Sequence, residues 1–479
     1  MAIAFYSQKG YNNTSIFSQI FCDEVIVMAR KDVNMLEGSI IKGILTIAIP
    51  VMIMNVATSL FNIIDMTVLK TFGGAVGAVG VCGTLISLIT GLVIGVSSGS
   101  NVIIARYIGR KDPASVDRAI NTAMAFSIAA GIALAIIGVL GAPLFLKWNN
   151  CPDALLEDAT LYFRMYFAGV PILMVYNFCA SILRSSGDSR RPMIFLIIGG
   201  IVKVLSNLVF AGVFHLGVMG VALATILSWC VFTTLGLTAL THNEGAVKLR
   251  IKDIRFYKRE MKQILHIGIP AGMQQALYSV ANVIITAEVN KLGPAATTGM
   301  SIANNFDGIL YQISVATSLA IMPYVSQNIG AGNVKRAVRS VWEGVLVTVC
   351  LGGFFGVLSA VFARPLSGIM SSDPEAIKYS MQKMVLISST YFICGINEIL
   401  GAALRSMGKP LASTVSVLVW MCAFRFVWVY GIYPLLPQGL TFLYLVWPIG
   451  WVTSSLTLLF VLVPTVKKLK AKTASKLLS

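Results

Sequence analysis

Charge is scarce in this chain. Of its 479 residues only 12% are Asp, Glu, Lys or Arg, against 56% apolar residues and a mean hydropathy of +0.80. That shortage excludes a soluble globule, which needs more polar side chains than this to cover a surface of such size. Histidine is nearly missing: His215, His242 and His266 are scattered, so no histidine-built metal or proton-relay cluster is expected. None of the eight cysteines forms a CxxC pair, and six of them (Cys82, Cys179, Cys230, Cys350, Cys394, Cys422) fall in apolar runs as small buried residues. There is no GxxxxGK[ST] loop for ATP and no HExxH, GxSxG or paired DDxxD. Neither an enzyme nor a bound cofactor is therefore expected. The first 36 residues lack the charged start and apolar core of a secretory signal. Residues 1–40 are expected to form a disordered cytoplasmic extension, with Met28 or Met35 as candidate starts.

What the chain has in abundance is long apolar runs. Twelve segments of about 20 residues or more, the length that crosses a hydrocarbon core as helix, follow one another: 43–66, 76–105, 120–146, 161–183, 192–214, 218–240, 263–289, 296–328, 340–363, 380–404, 411–435 and 440–464. A β-barrel would show short alternating strands instead. The formal charge of +17 would suit a nucleic-acid surface if it were clustered on one face, but it alternates between loops. Arg110, Lys111, Arg118, Arg190, Arg191, the 248–262 segment, Lys335, Arg336, Arg339, Lys409 and the 467–476 tail fall on one side, while Asp153, Glu157, Asp158, Asp373 and Glu375 fall on the other. This is the positive-inside pattern. It predicts a multi-pass protein of the inner or plasma membrane with both termini cytoplasmic and no nucleic-acid partner.

The chain is duplicated. Pro50 and Pro270, Ser59 and Ser279, Asn62 and Asn282, and Gly73 and Gly293 are all separated by one and the same interval. Ile108 and Ile329, Gly109 and Gly330, Arg118 and Arg339 share an interval longer by a single position, as do the LRSSG run from Leu183 and the LRSMG run from Leu404. Such agreement defines two homologous six-helix halves: 41–241 and 263–465, joined by a charged linker at 242–262 and followed by a basic tail at 466–479. Six crossings return the chain to its starting side, so the repeats are parallel and related by an axis along the membrane normal. That is an architecture of secondary transporters. Pro50 and Pro270, placed in the first turns of equivalent helices, are candidate hinges. Gly109 and Gly330 are expected to cap their helices.

Charges inside the apolar runs carry the functional expectation, because such groups are costly in lipid. Asp65 is the leading cation site: Asn62 lies one turn before it and no Lys or Arg shares its turn. The site suits a proton, or Na⁺ if oxygen ligands surround it; no other metal is expected. Glu288 and Asp307 are charge-recognition candidates, or are neutralised by Lys291 or Lys203. Glu398 is a further candidate, with Arg425 as its expected partner. Arg184 and Arg405 are read as cytoplasmic anchors.

Taken together, these residues resemble the multidrug and toxic compound extrusion (MATE) transporters of the MOP superfamily, in particular the DinF-like branch. The carriers are Ala48–Pro50, Asp65, the run from Ala105 to Asp112, LRSSGDSRRPM from Leu183, GVALAT from Gly220, GIPAGMQQ from Gly268, SQNIGAGN from Ser326 and FRFVWVYGIYPL from Phe424. The resemblance covers residues 36 to about 468. It implies an all-α antiporter of twelve helices that expels organic, often cationic, compounds in exchange for H⁺ or Na⁺. By the same resemblance Asn207 and Thr225 join Asp65 in the amino-half cation site. The family's second acid of helix 5 falls at Ala211, and the Val-Gly step after the aspartate is Leu69-Lys70 here. The helix 7 acid of another branch falls at Gln274 or Gln275, which become substrate candidates. A monomer in lipid is expected, carrying small organic substrates. A lipid-linked precursor flippase of the same superfamily is the alternative, and an integral-membrane transferase a weaker one.

Overall fold

Why the spans are helical follows from their solvent: in lipid every backbone N–H and C=O needs an internal partner, and a helix supplies them within one segment. The computed structural model describes residues 33–72, 76–149, 151–243, 245–437 and 439–478. Among them run twelve long helical segments and no strand. In chain order these are α1 (Ile40–Thr71), α2 (Val76–Gly109), α3 (Pro113–Trp148), α4 (Asp153–Ser185), α5 (Arg190–Val213), α6 (Gly217–Thr241), α7 (Lys258–Asn290), α8 (Pro294–Gly330), α9 (Val334–Val361), α10 (Pro374–Ser406), α11 (Pro410–Leu435) and α12 (Leu440–Ser475). Eleven are long and apolar enough to cross a membrane. The other, α7, is equally long but carries Gln274, Gln275, Asn282 and Glu288, polar side chains that lower its hydropathy.

Local signals set many of the ends. Prolines open α3, α8, α10 and α11, where the missing N–H costs nothing. The Asn333 side chain caps α9 by accepting from the Arg336 N–H at 3.1 Å, and Asp188 accepts the first amides of α5, from Arg190 and Arg191, at 3.1 Å each. The prolines expected in first turns lie deeper: α1 and α7 begin at Ile40 and Lys258, earlier than the apolar runs suggest, and both helices run on through Pro50 and Pro270. Polar residues flanking a span extend its helix into the interface, and apolar counting misses them. For the same reason the linker is shorter than expected, and part of it is packed: Leu249 N–H bonds to the Leu240 carbonyl at 2.9 Å, and Val247 and Leu249 are buried.

The described chain forms two compact units, one of Ala57–Thr84 and Ala114–Tyr257, the other of Asn34–Val56, Leu85–Pro113 and Lys258–Ser479. Most of the expected N-terminal extension lies outside the described residues, Met28 included. Its last part, with Met35, is held in the second unit: Arg336 donates to the carbonyls of Met35, Glu37 and Gly38 at 2.7–3.1 Å, and Asn328 donates to the Met35 carbonyl at 3.0 Å.

Inside the second unit, α2 and α7 cross backbone to backbone. Gly95 and Gly99 lie against Gly272, Gly268 and the Ile264 carbonyl so closely that a β-carbon on either would collide with main chain. Four-residue glycine spacing on both helices, Gly91–Gly95–Gly99 and Gly268–Gly272, is the pattern that lets helices meet in lipid, where dispersion and not water drives association. Gly109 and Gly330 do the same, reciprocally. A β-carbon on Gly109 would strike the Gln327 carbonyl, and one on Gly330 the Arg106 carbonyl. Since 109 and 330, and 106 and 327, are repeat equivalents, the contact has the self-complementary form of a twofold axis. These two glycines are therefore close-approach residues. The left-handed positions belong to their neighbours Lys111 (φ 55°) and Gly332 (φ 78°), which are repeat equivalents in their turn.

Candidate functional site: two buried fifth-helix cations

In the first unit, Asp65 lies on α1 with its carboxylate buried. Lys203 and Asn207, four residues apart and so on one face of α5, converge on it. The Lys203 ammonium is 2.6 Å from Oδ2 and the Asn207 amide donates to Oδ1 at 2.7 Å. Directly after Asn207, α5 loosens into a π-helical turn, Leu208–Val213, a distortion common at functional sites. The Asn207 amide oxygen is buried and accepts no hydrogen bond among the described residues. Ala211, inside that turn, is buried and brings no second carboxylate.

Several sequence expectations change here. Lys203, a candidate partner of Asp307 or Glu288 by sequence, pairs with Asp65 instead; α5 brings to α1 a cation that lies far away in the chain. Asn62 is exposed and lines a shallow groove with Ile63, Met66, Thr67 and Lys70, so one turn along α1 is too coarse a guide to a shared site. Thr225 is buried, and its hydroxyl donates to the Val221 carbonyl of its own helix at 2.9 Å. Asn207 meets Asp65 as the resemblance implies.

In the second unit, a cavity of about 340 Å³ opens among α7, α8, α10, α11 and α12, large enough for a small organic molecule. The aromatic rings of Tyr278, Tyr311, Tyr391, Trp447 and Trp451 line it, together with Asp307, Lys383 and Arg425. Asp307 is paired with Lys383 at 2.9 Å and accepts from the Ser388 hydroxyl at 3.1 Å; Lys383 also donates to the Asn304 side chain. The Arg425 guanidinium, which is 2% exposed, donates to the neutral amide oxygen of Asn282 at 2.7 Å. It lies 5.4 Å from the Trp447 ring centroid, and the Lys383 ammonium lies 5.5 Å from the same centroid.

The expected Glu398–Arg425 pair is not formed. Glu398 accepts from the Tyr278 hydroxyl at 3.2 Å while Arg425 turns to Asn282. Glu288 pairs with Lys291 at 2.6 Å at the end of α7. Gln274 accepts from Arg405 and from Ser413, both at 2.9 Å, and Gln275 lines the cavity and accepts from Tyr311 at 3.1 Å. Arg184 and Arg405 are buried, not snorkelling anchors. Lys383 escapes sequence reasoning: it stands three residues inside the tenth apolar run, where a lysine reads as the margin of a span. The Asp307 carboxylate on another helix is the only signal, and pairing it needs the fold.

The twofold pattern of helices has a direct counterpart among known proteins. The MatE family model matches the chain twice, over residues 50–209 and 270–430, so the chain belongs to that family of transporters. It is 25% identical over 394 residues to "Probable multidrug resistance protein YpnP" of Bacillus subtilis, covering 81% of this chain and 88% of the relative. It is 24% identical over 393 residues to "FAD transporter" of Shewanella oneidensis, covering 80% and 86%. A solved structure described as the outward-facing conformation of a multidrug resistance MATE family transporter of the MOP superfamily superposes with a TM-score of 0.84 at 20% identity. That match covers 92% of this chain and 99% of the other. The chain is a multi-pass integral membrane transporter of the MatE fold.

Proposed function

We propose that the protein is a secondary antiporter that exports small organic compounds by alternating access and takes protons in exchange at Asp65. The observation that carries the proton reading is the Lys203–Asp65 contact of 2.6 Å. An ammonium already occupies the position against the carboxylate that Na⁺ would take, and Na⁺ would have to push it aside to gain its oxygen ligands. A proton needs no such displacement. It neutralises Asp65 and frees Lys203, and the Asn207 amide can turn so that its unused oxygen accepts the new carboxyl O–H. The same three side chains thus serve both charge states, and the loss of the ion pair loosens the hold between α1 and α5. Pro50 and Pro270 would let α1 and α7 bend as access alternates. The positive loops support a reading in which both termini are cytoplasmic and the protein acts as a monomer in the inner or plasma membrane.

The test uses the full chain in proteoliposomes carrying imposed gradients. Transport of a panel containing ethidium and naphthalene-2-sulfonate should follow a pH gradient and ignore a Na⁺ gradient, and Asp65→Asn should remove the pH response. Transport driven by Na⁺ alone, or a full pH response in Asp65→Asn, would overturn the assignment. A second reading, flipping of a lipid-linked pyrophosphate precursor, is favoured by one observation: the cavity contains two cations and a single carboxylate.

A further inference from the structure

We infer that the cavity of the second unit recognises the anionic group of an aromatic compound, with Arg425 and Lys383 as its charge-reading residues and Trp447 as its ring-reading one. The inference rests on the chain being a transporter of small organic compounds and names the charge of the cargo, which is opposite to that expected from the resemblance.

The duplication supplies the first line of argument. In each half a cation from the fifth helix is buried against the first helix of the same half: Lys203 of α5 against α1, Arg425 of α11 against α7. In the first half the acceptor is a carboxylate. In the second, the repeat equivalent of Asp65 is Ile285, which is buried, so no acid is available at that position. Arg425 instead reaches Asn282, the repeat equivalent of the exposed Asn62. Its charge is met by a neutral amide and by the face of Trp447, never by a carboxylate among the described residues.

Cavity chemistry supplies the second. Among the described residues Asp307 is the single carboxylate in the lining and is already held by Lys383 and Ser388, which leaves a formal charge of +1. Both cations lie within 5.5 Å of the Trp447 centroid. A guanidinium withdrawn from water and left without a counter-ion favours any anion that can reach it, and its planar donors suit a carboxylate, sulfonate or phosphate. An organic cation would enter against that net positive charge. The indole beside the cations, with Trp451 near it, offers a stacking face for a planar ring. The anion could come on a soluble aromatic compound or on a lipid-linked pyrophosphate, since both present the same charge to Arg425.

Equilibrium dialysis of the full chain in detergent, with naphthalene-2-sulfonate, farnesyl pyrophosphate and ethidium as probes, tests this without any ion gradient, so a failure of proton coupling leaves it readable. We expect an anionic probe to bind at least tenfold more tightly than ethidium. Arg425→Gln should weaken it at least tenfold, Arg425→Lys should retain most of the affinity, and Asp307→Asn should tighten it. Gel filtration of each variant separates lost binding from lost folding. Preference for naphthalene-2-sulfonate would assign a soluble aromatic anion, and preference for farnesyl pyrophosphate a lipid-linked one; either supports the site. Tighter binding of ethidium, or anion binding that is equal in folded Arg425→Gln and wild type, would overturn it.

Discussion

The fifth helix of each half buries one cation against the first helix of that half, and the two cations meet opposite fates. Lys203 finds Asp65 and is neutralised; among the described residues Arg425 finds Asn282 and Trp447 and keeps its net charge. Both lie just before a π-helical turn, Leu208–Val213 in one half and Trp428–Ile432 in the other. One frame, duplicated, thus yields a closed ion pair and an open charge. One difference between them lies at the repeat position of the acid, aspartate at 65 and isoleucine at 285. A duplication leaves one copy free to keep a pair while the other turns its unmatched charge toward a ligand.

The largest expected effect comes from breaking the closed pair from one side. Asp65→Asn strands the Lys203 ammonium in a buried site and should cost about 3–5 kcal/mol of stability, read as a drop in the unfolding midpoint in detergent. The double change Asp65→Asn with Lys203→Met should recover most of that stability while the pH response of transport stays lost, which separates the structural part of the pair from its coupling part. The next effect is smaller and sharpens the comparison from the other half. Ile285→Asp installs an acid at the repeat position of Asp65, one turn along α7 from the Asn282 that Arg425 meets. If the two frames are equivalent, naphthalene-2-sulfonate binding should fall about as far as in Arg425→Gln, because the charge is then answered from within the chain. Asn207→Ala removes a hydrogen bond to a charged group and should cost about 1.5–3 kcal/mol in the same unfolding assay. It should also slow proton-driven exchange without conferring a response to Na⁺. The smallest effect tests the placement of Asn62: Asn62→Ala on an exposed face should change stability by less than about 0.5 kcal/mol and leave the pH response intact.

Glycine shows the same division between line and fold. Gly109 and Gly330 stand at helix ends, where capping is the natural expectation; in the structure their value is the reciprocal approach of α2 and α8. The same holds for charge. Asp65 is legible because a carboxylate deep in an apolar run has few reasons to be there, and Asn207 through a resemblance in motif. Lys203 points by sequence to other acids, and Lys383 reads as a margin residue, because a lone lysine does not declare which of several carboxylates it faces.

What the sequence by itself determined is considerable: a lipid-solvated helical bundle, its duplication, the family, and the presence of costly buried charges. Composition and periodicity report the solvent and the backbone directly, and a constant interval between matching motifs is visible without any fold. Only the tertiary structure decided the partners. Pairing Lys203 with Asp65, Lys383 with Asp307, and Arg425 with a neutral amide depends on which faces of helices far apart in sequence are brought together, and at 2.6–2.9 Å a rotation of a helix by a single residue would break the pair it makes. Charge inventory is a property of the line; charge balance is a property of the fold.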